Sequence, residues 1–279
     1  MKRTLTSIVP THTVTEGGGF RVRRPVAMGR LMSPFLLLDE MGPVDYAPGE
    51  AIGAPSHPHR GFETVTYLIE GRMTHADSAG NSGNINSGDV QWMTAGRGVI
   101  HSELPQEALL KEGGLVHGFQ IWVNLPAKDK MMAPRYQDIP SVNIPVVTSS
   151  SGDVWAKVIA GHALGVESVI DTVMPITFIH LRLKPGAEYA HAGDHDHNMM
   201  VYAFGGAMSV QGRTLEDGGL GLLSKGKELS LVAGEDGAEC LLLGGPNLDE
   251  PIARYGPFVM NTREEIVQAI HDYNNGRLC

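Results

Sequence analysis

The chain has 279 residues, enough for one large domain or two of ordinary size, and its formal net charge at pH 7 is -9. That charge argues against direct binding to DNA or to an anionic membrane, because no run of Lys and Arg offsets it. No segment reaches the ~18 apolar residues of a membrane span, and the first seven residues are not expected to be a signal peptide. Two cysteines, Cys240 and Cys279, give no disulfide framework, so we expect a cytoplasmic protein.

Glycine and proline are frequent and scattered along the chain, with 35 and 17 residues. This composition predicts many tight turns between short strands, and therefore an all-β fold. The strands expected in the first half are Phe20 to Val22, Ala27 to Met28, Phe35 to Met41, Val90 to Thr94 and Leu115 to Asn124.

Two pairs of candidate metal ligands stand at the ends of the stretch from Ser56 to Glu103. The first pair is His57 and His59, and the second is His101 and Glu103. Because residues i and i+2 of a strand share a face, both members of each pair should point the same way. An isolated His-x-His is more often a surface pair, but a second pair favours a metal site. Four such ligands leave open positions on an ion that accepts five or six, so we expect one catalytic ion.

A second carboxylate, Glu63, follows the first pair closely. Glu63, Val65 and Tyr67 are predicted to keep the parity of the two histidines on one alternating strand. Strand geometry alone therefore does not decide between Glu63 and Glu103 as the carboxylate ligand. The glycine-rich segment from His75 to Gly88 is predicted to be a turn that returns the chain antiparallel.

The proline-rich segment 125–145 is predicted to connect two domains, 1–135 with the metal site and 136–279 without a complete one. The second half has a histidine cluster of its own, His191, His195 and His197, but no returning pair of ligands. An exposed polar loop is therefore expected there. The strands expected in this half are Trp155 to Ala160, Ile176 to Leu183, Met199 to Phe204, Met208 to Val210, Leu220 to Leu223 and Cys240 to Leu243.

The end of the chain is predicted to be one amphipathic helix packed on a barrel. Thr262 and Glu265 have the spacing of a capping box, and Gly276 is a stop signal. The apolar stripe expected to be buried is Ile266, Ala269, Ile270 and Tyr273.

Three segments of the chain, together spread over nearly its whole length, resemble the pirin family of the cupin superfamily. They are His57-Pro58-His59-Arg60-Gly61-Phe62-Glu63-Thr64-Val65-Thr66-Tyr67, the stretch from Gly88 to Glu103, and Gly256-Pro257-Phe258-Val259-Met260-Asn261-Thr262. The resemblance implies two antiparallel cupin β-barrels in tandem, the first of which holds a single metal ion, usually iron. The ligands it implies are His57, His59, His101 and Glu103.

The general cupin pattern takes its glutamate from the position of Glu63, whereas the pirin variant takes it from Glu103. With Glu103 as the ligand, Glu63 becomes a buried carboxylate near the metal, either a supporting group or a general base. Thr94 also stands where the general second cupin motif usually has a proline.

The activity that the resemblance implies is that of a pirin-like quercetin 2,3-dioxygenase, which opens a flavonol ring with O₂ and releases carbon monoxide. Fe(II) is the expected ion, with Cu, Ni, Mn, Co or Zn as alternatives. Either Glu103 or Glu63 would act as the base. One alternative is a regulator whose metal redox state changes the surface offered to a protein partner. Another is a protein that only stores a metal or a small ligand.

Overall fold

The computed structural model describes residues 1–16, 18–26 and 32–279. Ala27 and Met28, which form one of the predicted strands, lie outside these ranges. The all-β prediction is confirmed, since almost every regular element is a strand. None of the helices in the described ranges is long and apolar enough to cross a membrane.

The strands of the first half are β1 (Leu5–Val9), β2 (Thr11–Thr15), β3 (Arg21–Pro25), β4 (Phe35–Tyr46), β5 (Ala54–His59), β6 (Phe62–Glu70), β7 (Arg72–Asp77), β8 (Ser82–Asn86), β9 (Val90–Thr94), β10 (Val99–Pro105), β11 (Gly114–Asn124) and β12 (Arg135–Ile139). Those of the second half are β13 (Val146–Thr148), β14 (Val154–Ala160), β15 (His162–Ala163), β16 (Val166–Glu167), β17 (Thr177–Leu183), β18 (Glu188–Ala192), β19 (Asn198–Val210), β20 (Arg213–Leu215), β21 (Leu220–Leu223), β22 (Glu228–Gly245), β23 (Ala253–Tyr255) and β24 (Phe258–Met260). The helices are α1 (Glu107–Glu112) and α2 (Arg263–Asn274), with 3-10 turns at Ala127–Asp129 and Ser141–Asn143.

The chain forms two compact units, and each takes a terminal segment from the other half of the sequence. The N-terminal unit comprises Thr13–Arg24, Phe35–Ser141 and Asp249–Cys279, and the C-terminal unit comprises Met1–His12, Pro25–Pro34 and Val142–Leu248. This division differs from the simple division at residue 135, because β1 pairs with β21. That pairing joins residues far apart in the sequence, so no local sequence pattern predicts it.

The N-terminal unit contains two main sheets, besides the two-stranded sheet formed by β23 and β24. The larger has the order β12-β9-β6-β11-β4-β3-β2, and the smaller has the order β5-β10-β7-β8. The segment predicted as one turn, His75 to Gly88, instead contains the end of β7 and all of β8, which pair antiparallel. The core beneath the larger sheet includes side chains with no exposed surface: Phe62, Val65, Trp92, Phe119 and Ile121.

The C-terminal unit is built on one large sheet with the path β1-β21-β19-β22-β17-β14-β13. Its core side chains include Val158, Ile179, Leu181, Val201 and Leu242, and all five have no exposed surface. The predicted exposed loop is confirmed only in part: His195 and His197 lie between β18 and β19 and are half-buried, whereas His191 lies in β18 and is buried.

The capping box at the start of α2 is confirmed, with Thr262 accepting from the Glu265 backbone N–H while the Glu265 carboxylate accepts from the Thr262 N–H. Ile266 and Ala269 are buried in a small cluster with Phe258 and Leu278. The predicted stripe is only partly covered, because Ile270 is half-buried and Tyr273 is 39% exposed.

Replacing Ile266 with alanine is expected to lower the free energy of unfolding by about 2–4 kcal/mol, because the side chain fills a packed site. Val267→Ala, on the exposed side of the same helix, is the matched control and should change it by less than about 0.5 kcal/mol. Urea denaturation of both variants measures the difference. Equal effects would mean that α2 does not pack as described.

Candidate metal centre

Strands β5 and β10 bring the two ligand pairs together. They pair antiparallel, with His57 directly opposite His101 and His59 opposite Val99. The His57 Nε2 atom lies 3.0 Å from His59 Nε2 and 3.1 Å from His101 Nε2. Within the described part of the chain, these three imidazoles form the group whose donor atoms all lie within 4.8 Å of one another.

Hydrogen bonding of His57 and burial of His59 and His101 suit metal binding. His57 Nδ1 lies 2.7 Å from the carbonyl oxygen of Pro55, to which it donates, so its Nε2 presents a lone pair to the other two rings. Burial lowers the pKa of His59 well below its usual value, and the neighbouring His101 and His57 act in the same direction. Burial also lowers the pKa of His101 to about 4. Both rings are therefore neutral at neutral pH, the form in which imidazole binds a metal.

The spacing of these nitrogens fits a single ion. Two nitrogens that each lie about 2.1 Å from one ion, at right angles to each other, are about 3 Å apart. The two measured separations, 3.0 and 3.1 Å, agree with this value. A donor set of imidazoles without thiolate suits a divalent ion such as zinc, copper, iron or nickel.

Glu103 lies on the same strand as His101, but a bulge separates the two. Its Oε1 accepts a 2.6 Å hydrogen bond from the Thr66 hydroxyl, and its side chain lines the same cavity as His57 and His59. The carboxylate is not part of the three-imidazole group. Coordination by Glu103 therefore stays a prediction, and it requires the side chain to move closer to the nitrogens.

Glu63 faces away from the cavity. It has no exposed surface, and its Oε1 accepts a 2.6 Å hydrogen bond from Thr94 on β9. The prediction that Glu63 shares a face with His57 and His59 is wrong, because Gly61 (φ 92°) separates β5 from β6 and interrupts the alternation. Thr66, an odd number of positions from Glu63, therefore lines the cavity, while Glu63 lies on the opposite face of β6.

Gly61 is required both by its conformation and by the space around it. A Cβ atom at this position would lie 2.0 Å from the carbonyl oxygen of Val259. Gly61→Ala should therefore lower the free energy of unfolding by at least about 2 kcal/mol more than Gly80→Ala. Gly80 has nearly the same φ, 91°, but nothing within 4 Å of an added Cβ, so it isolates the steric effect. Thermal denaturation of the pair measures it, and equal losses would contradict the close contact.

A buried arginine beside the first ligand pair forms hydrogen bonds to the segment that precedes the second pair and to the C-terminal segment. Arg60, which follows His59, donates to the carbonyl oxygen of Arg97 at 2.5 Å, just before β10. It also donates to the Asp272 carboxylate at 2.8 Å and to the carbonyl oxygen of Leu278 at 3.4 Å. The C-terminal segment thus helps to fix the loops on either side of the histidines.

His57, His59 and Glu103 line a cavity of about 500 Å³, within the range typical of small-molecule sites. Trp122 forms part of its wall, with its ring edge-on to His59 at 5.3 Å between centroids. The other apolar side chains of the wall include Phe20, Val22, Leu37, Met41, Leu68, Met73 and Val116. The cavity therefore offers an apolar surface beside the three imidazoles.

The charged side chains of the cavity wall are largely matched with one another. Arg24 donates to both carboxylate oxygens of Asp39 at 2.5 Å and also pairs with Glu16. The Arg254 guanidinium lies over the Trp122 ring, 4.6 Å from its centroid. These contacts leave an apolar interior with polar groups at defined places, as is usual for a small-molecule site.

Both halves of the chain match models of known protein families. The model described as Pirin matches residues 19–123, and the model described as Pirin C-terminal cupin domain matches residues 178–279. The chain belongs to the pirin family. Its two cupin domains and C-terminal helix confirm the fold class expected from the sequence.

Relatives of this pirin share its full length. Human pirin is 39% identical, over 94% of this chain and 89% of its own. A Pseudomonas aeruginosa protein with a provisional quercetin 2,3-dioxygenase name is 41% identical, over 96% of this chain and 95% of its own. The crystal structure of quercetin 2,3-dioxygenase from Acinetobacter baumannii has a TM-score of 0.95 at 38% identity, covering 100% of this chain and 99% of that one.

Some cavity residues of this pirin were not identified from its sequence. Thr66 and Gln120 are polar residues at positions of β6 and β11 that face the cavity, and Trp122 lies on the same face of β11 as Gln120. A polar residue at an inward-facing strand position is the signal that could have identified Thr66 and Gln120. For Arg254 we find no local signal, because it reaches the cavity from a distant part of the sequence.

Proposed function

We propose that this pirin is a metal-dependent flavonol (quercetin) 2,3-dioxygenase with Fe(II) as its native ion. The observation that carries the proposal is the convergence of three imidazoles beside an apolar cavity of about 500 Å³. Full-length similarity to a protein whose crystal structure is described as quercetin 2,3-dioxygenase supports it. In this proposal His57, His59 and His101 hold the ion, with Glu103 as the fourth ligand.

The cavity suits a flat aromatic substrate. Trp122 and the aliphatic side chains around it exclude water from one side, and His57 and His59 lie at the polar end. A flavonol would enter with its adjacent 3-hydroxyl and 4-carbonyl oxygens toward the histidines. Its remaining rings would lie against the apolar wall, where burial of their surface favours binding.

A divalent ion held at this point lowers the pKa of a hydroxyl group that coordinates to it. Glu103 lines the cavity beside two of the histidines, so it is the carboxylate that we propose accepts the 3-hydroxyl proton. Glu63 is not proposed as this base, because its carboxylate is turned toward Thr94 and is absent from the cavity wall.

The proposed reaction consumes one O₂ for each flavonol. Both oxygen atoms enter the organic product, an ester formed by opening of the central ring. The ring carbon between the two bonds that break, with its own oxygen, leaves as carbon monoxide. No external reductant is needed, because the flavonol supplies all the electrons.

Carbon monoxide release tests this proposal. Protein reconstituted with Fe(II) should release one carbon monoxide per quercetin consumed, while metal-free protein and a His101→Ala variant should release none above the solution background. Metal-loaded protein that leaves quercetin intact would refute the proposed activity and favour the regulatory hypothesis.

Elemental analysis of protein from its native host tests the choice of iron. A cytoplasmic location and a protein partner also stay predictions.

A further inference from the structure

We propose that Thr66 and Gln120 are positioning residues that orient the Glu103 carboxylate for the metal ion. The inference rests on the proposed role of Glu103 as the fourth ligand, and it assigns a function to two side chains outside the three-imidazole group. Thr66 would hold one carboxylate oxygen and leave the other for the ion, while Gln120 would fix the direction in which Thr66 donates.

The three side chains form a short chain of contacts across three strands. Thr66 on β6 stands directly opposite Gln120 on β11 in the sheet register. The Thr66 hydroxyl donates to Glu103 Oε1 at 2.6 Å, and its Oγ1 also lies 2.8 Å from Gln120 Oε1. Thr66 is 4% exposed, and all three residues line the cavity that contains His57 and His59.

The number of available hydrogens determines which group donates in each of these contacts. The Thr66 hydroxyl has one hydrogen, and the 2.6 Å contact to the carboxylate uses it. Two acceptors at 2.8 Å would repel, so we infer that the Gln120 amide is rotated by 180° from the orientation in the structure, which brings its nitrogen to Thr66 Oγ1 as a donor. Gln120 therefore donates to Thr66, and Thr66 donates to Glu103.

One of the two carboxylate oxygens of Glu103 is hydrogen-bonded to Thr66. Within the described residues this carboxylate accepts one hydrogen bond, from Thr66, and the side chain is only partly buried at the edge of the cavity. The second oxygen is free to approach the nitrogens while the first stays on Thr66. Hydrogen bonds of this kind to a ligating carboxylate typically change metal affinity by about 10–100-fold.

The test compares metal affinities in the full-length chain without any flavonol. Co(II) is titrated into metal-free protein and followed by its visible absorption. Thr66→Val, which keeps the shape but removes the hydroxyl, should weaken Co(II) binding by about 10–100-fold. Thr66→Ser, which restores the donor, should bind within about threefold of the unmodified chain, a difference smaller than one hydrogen bond to a charged group.

Thr64→Val is the matched control. Thr64 is two residues away on the same strand, is buried like Thr66, and makes no hydrogen bond to Glu103. It should leave Co(II) affinity unchanged. Thr66→Val should also have no further effect in a Glu103→Gln background, because a residue that acts through Glu103 loses its role there.

Three results would overturn the proposal: unchanged or tighter Co(II) binding by Thr66→Val, an equal loss in Thr64→Val, or an additive loss in the Glu103→Gln background. None of these measurements uses turnover. If the expected pattern is found but quercetin is not cleaved, the dioxygenase assignment fails and the positioning role stands.

Discussion

Replacing His101 with alanine is expected to weaken binding of a divalent ion by more than about 100-fold, a larger effect than the loss of a group that only supports a ligand. His101 supplies one of three nitrogens that lie within 4.8 Å of one another, and the two that remain cannot enclose the ion. The same loss is expected for His57→Ala. Equilibrium dialysis with Fe(II) under anaerobic conditions measures both variants.

His191→Ala is the matched control for this prediction. His191 is a buried imidazole of the C-terminal unit, and burial lowers its pKa to about 4, as it does for His101. Removing it changes a core of similar chemistry without touching the proposed site, so one ion per chain should still bind. Loss of the ion in His191→Ala, or in a double variant of His195 and His197, would place the metal elsewhere.

Glu103→Gln is expected to lower both metal affinity and turnover, with quercetin cleavage falling by about two to four orders of magnitude. The amide keeps the shape of the side chain but removes the anionic oxygen and its capacity to accept a proton. Glu63→Gln should keep one ion per chain and turnover within about threefold of the unmodified chain, well short of the loss of a general base. Metal content and carbon monoxide release per folded chain measure both.

The two variants separate the pirin pattern from the general cupin pattern. If Glu63→Gln loses the ion while Glu103→Gln keeps it, the ligand set proposed here is wrong. That outcome would require the Glu63 carboxylate to leave Thr94 and cross to the other face of β6 in the metal-bound protein.

Period-two alternation within a single strand was enough to predict much of the site. It placed His57 with His59, and the antiparallel register of β5 and β10 then brought His101 opposite His57. The capping box at Thr262 was equally local, because it depends on residues three positions apart. These features could be predicted because each depends on neighbouring residues and on one backbone geometry.

The prediction for Glu63 failed where the backbone leaves that geometry. Gly61 adopts φ 92°, which ends β5 and starts β6 with its side chains facing the other way. Counting alternate residues across Gly61 therefore assigns Glu63 to the wrong face. A glycine is visible in the sequence, but the sequence does not show its φ or the close approach of Val259 from the far end of the chain. Alternation is therefore reliable only within an uninterrupted strand.

The exchange of terminal segments between the two units could not be predicted for a related reason. Leu5 pairs with Leu223, and Arg60 is anchored by Asp272 in the last helix. Such contacts depend on the whole fold, and the periodicity of either segment carries no information about its partner. The same holds for the cavity wall, in which Phe20, Trp122 and Arg254 meet from three distant stretches.

The position of the bound metal tests the account most directly. Crystals of the full-length protein loaded with Fe(II) should show, in an anomalous difference map recorded at the iron edge, one peak per chain between the Nε2 atoms of His57, His59 and His101. A carboxylate oxygen of Glu103 should lie within bonding distance of that peak. A peak beside His191 or in the His195–His197 loop, or two peaks per chain, would contradict the single N-terminal metal centre.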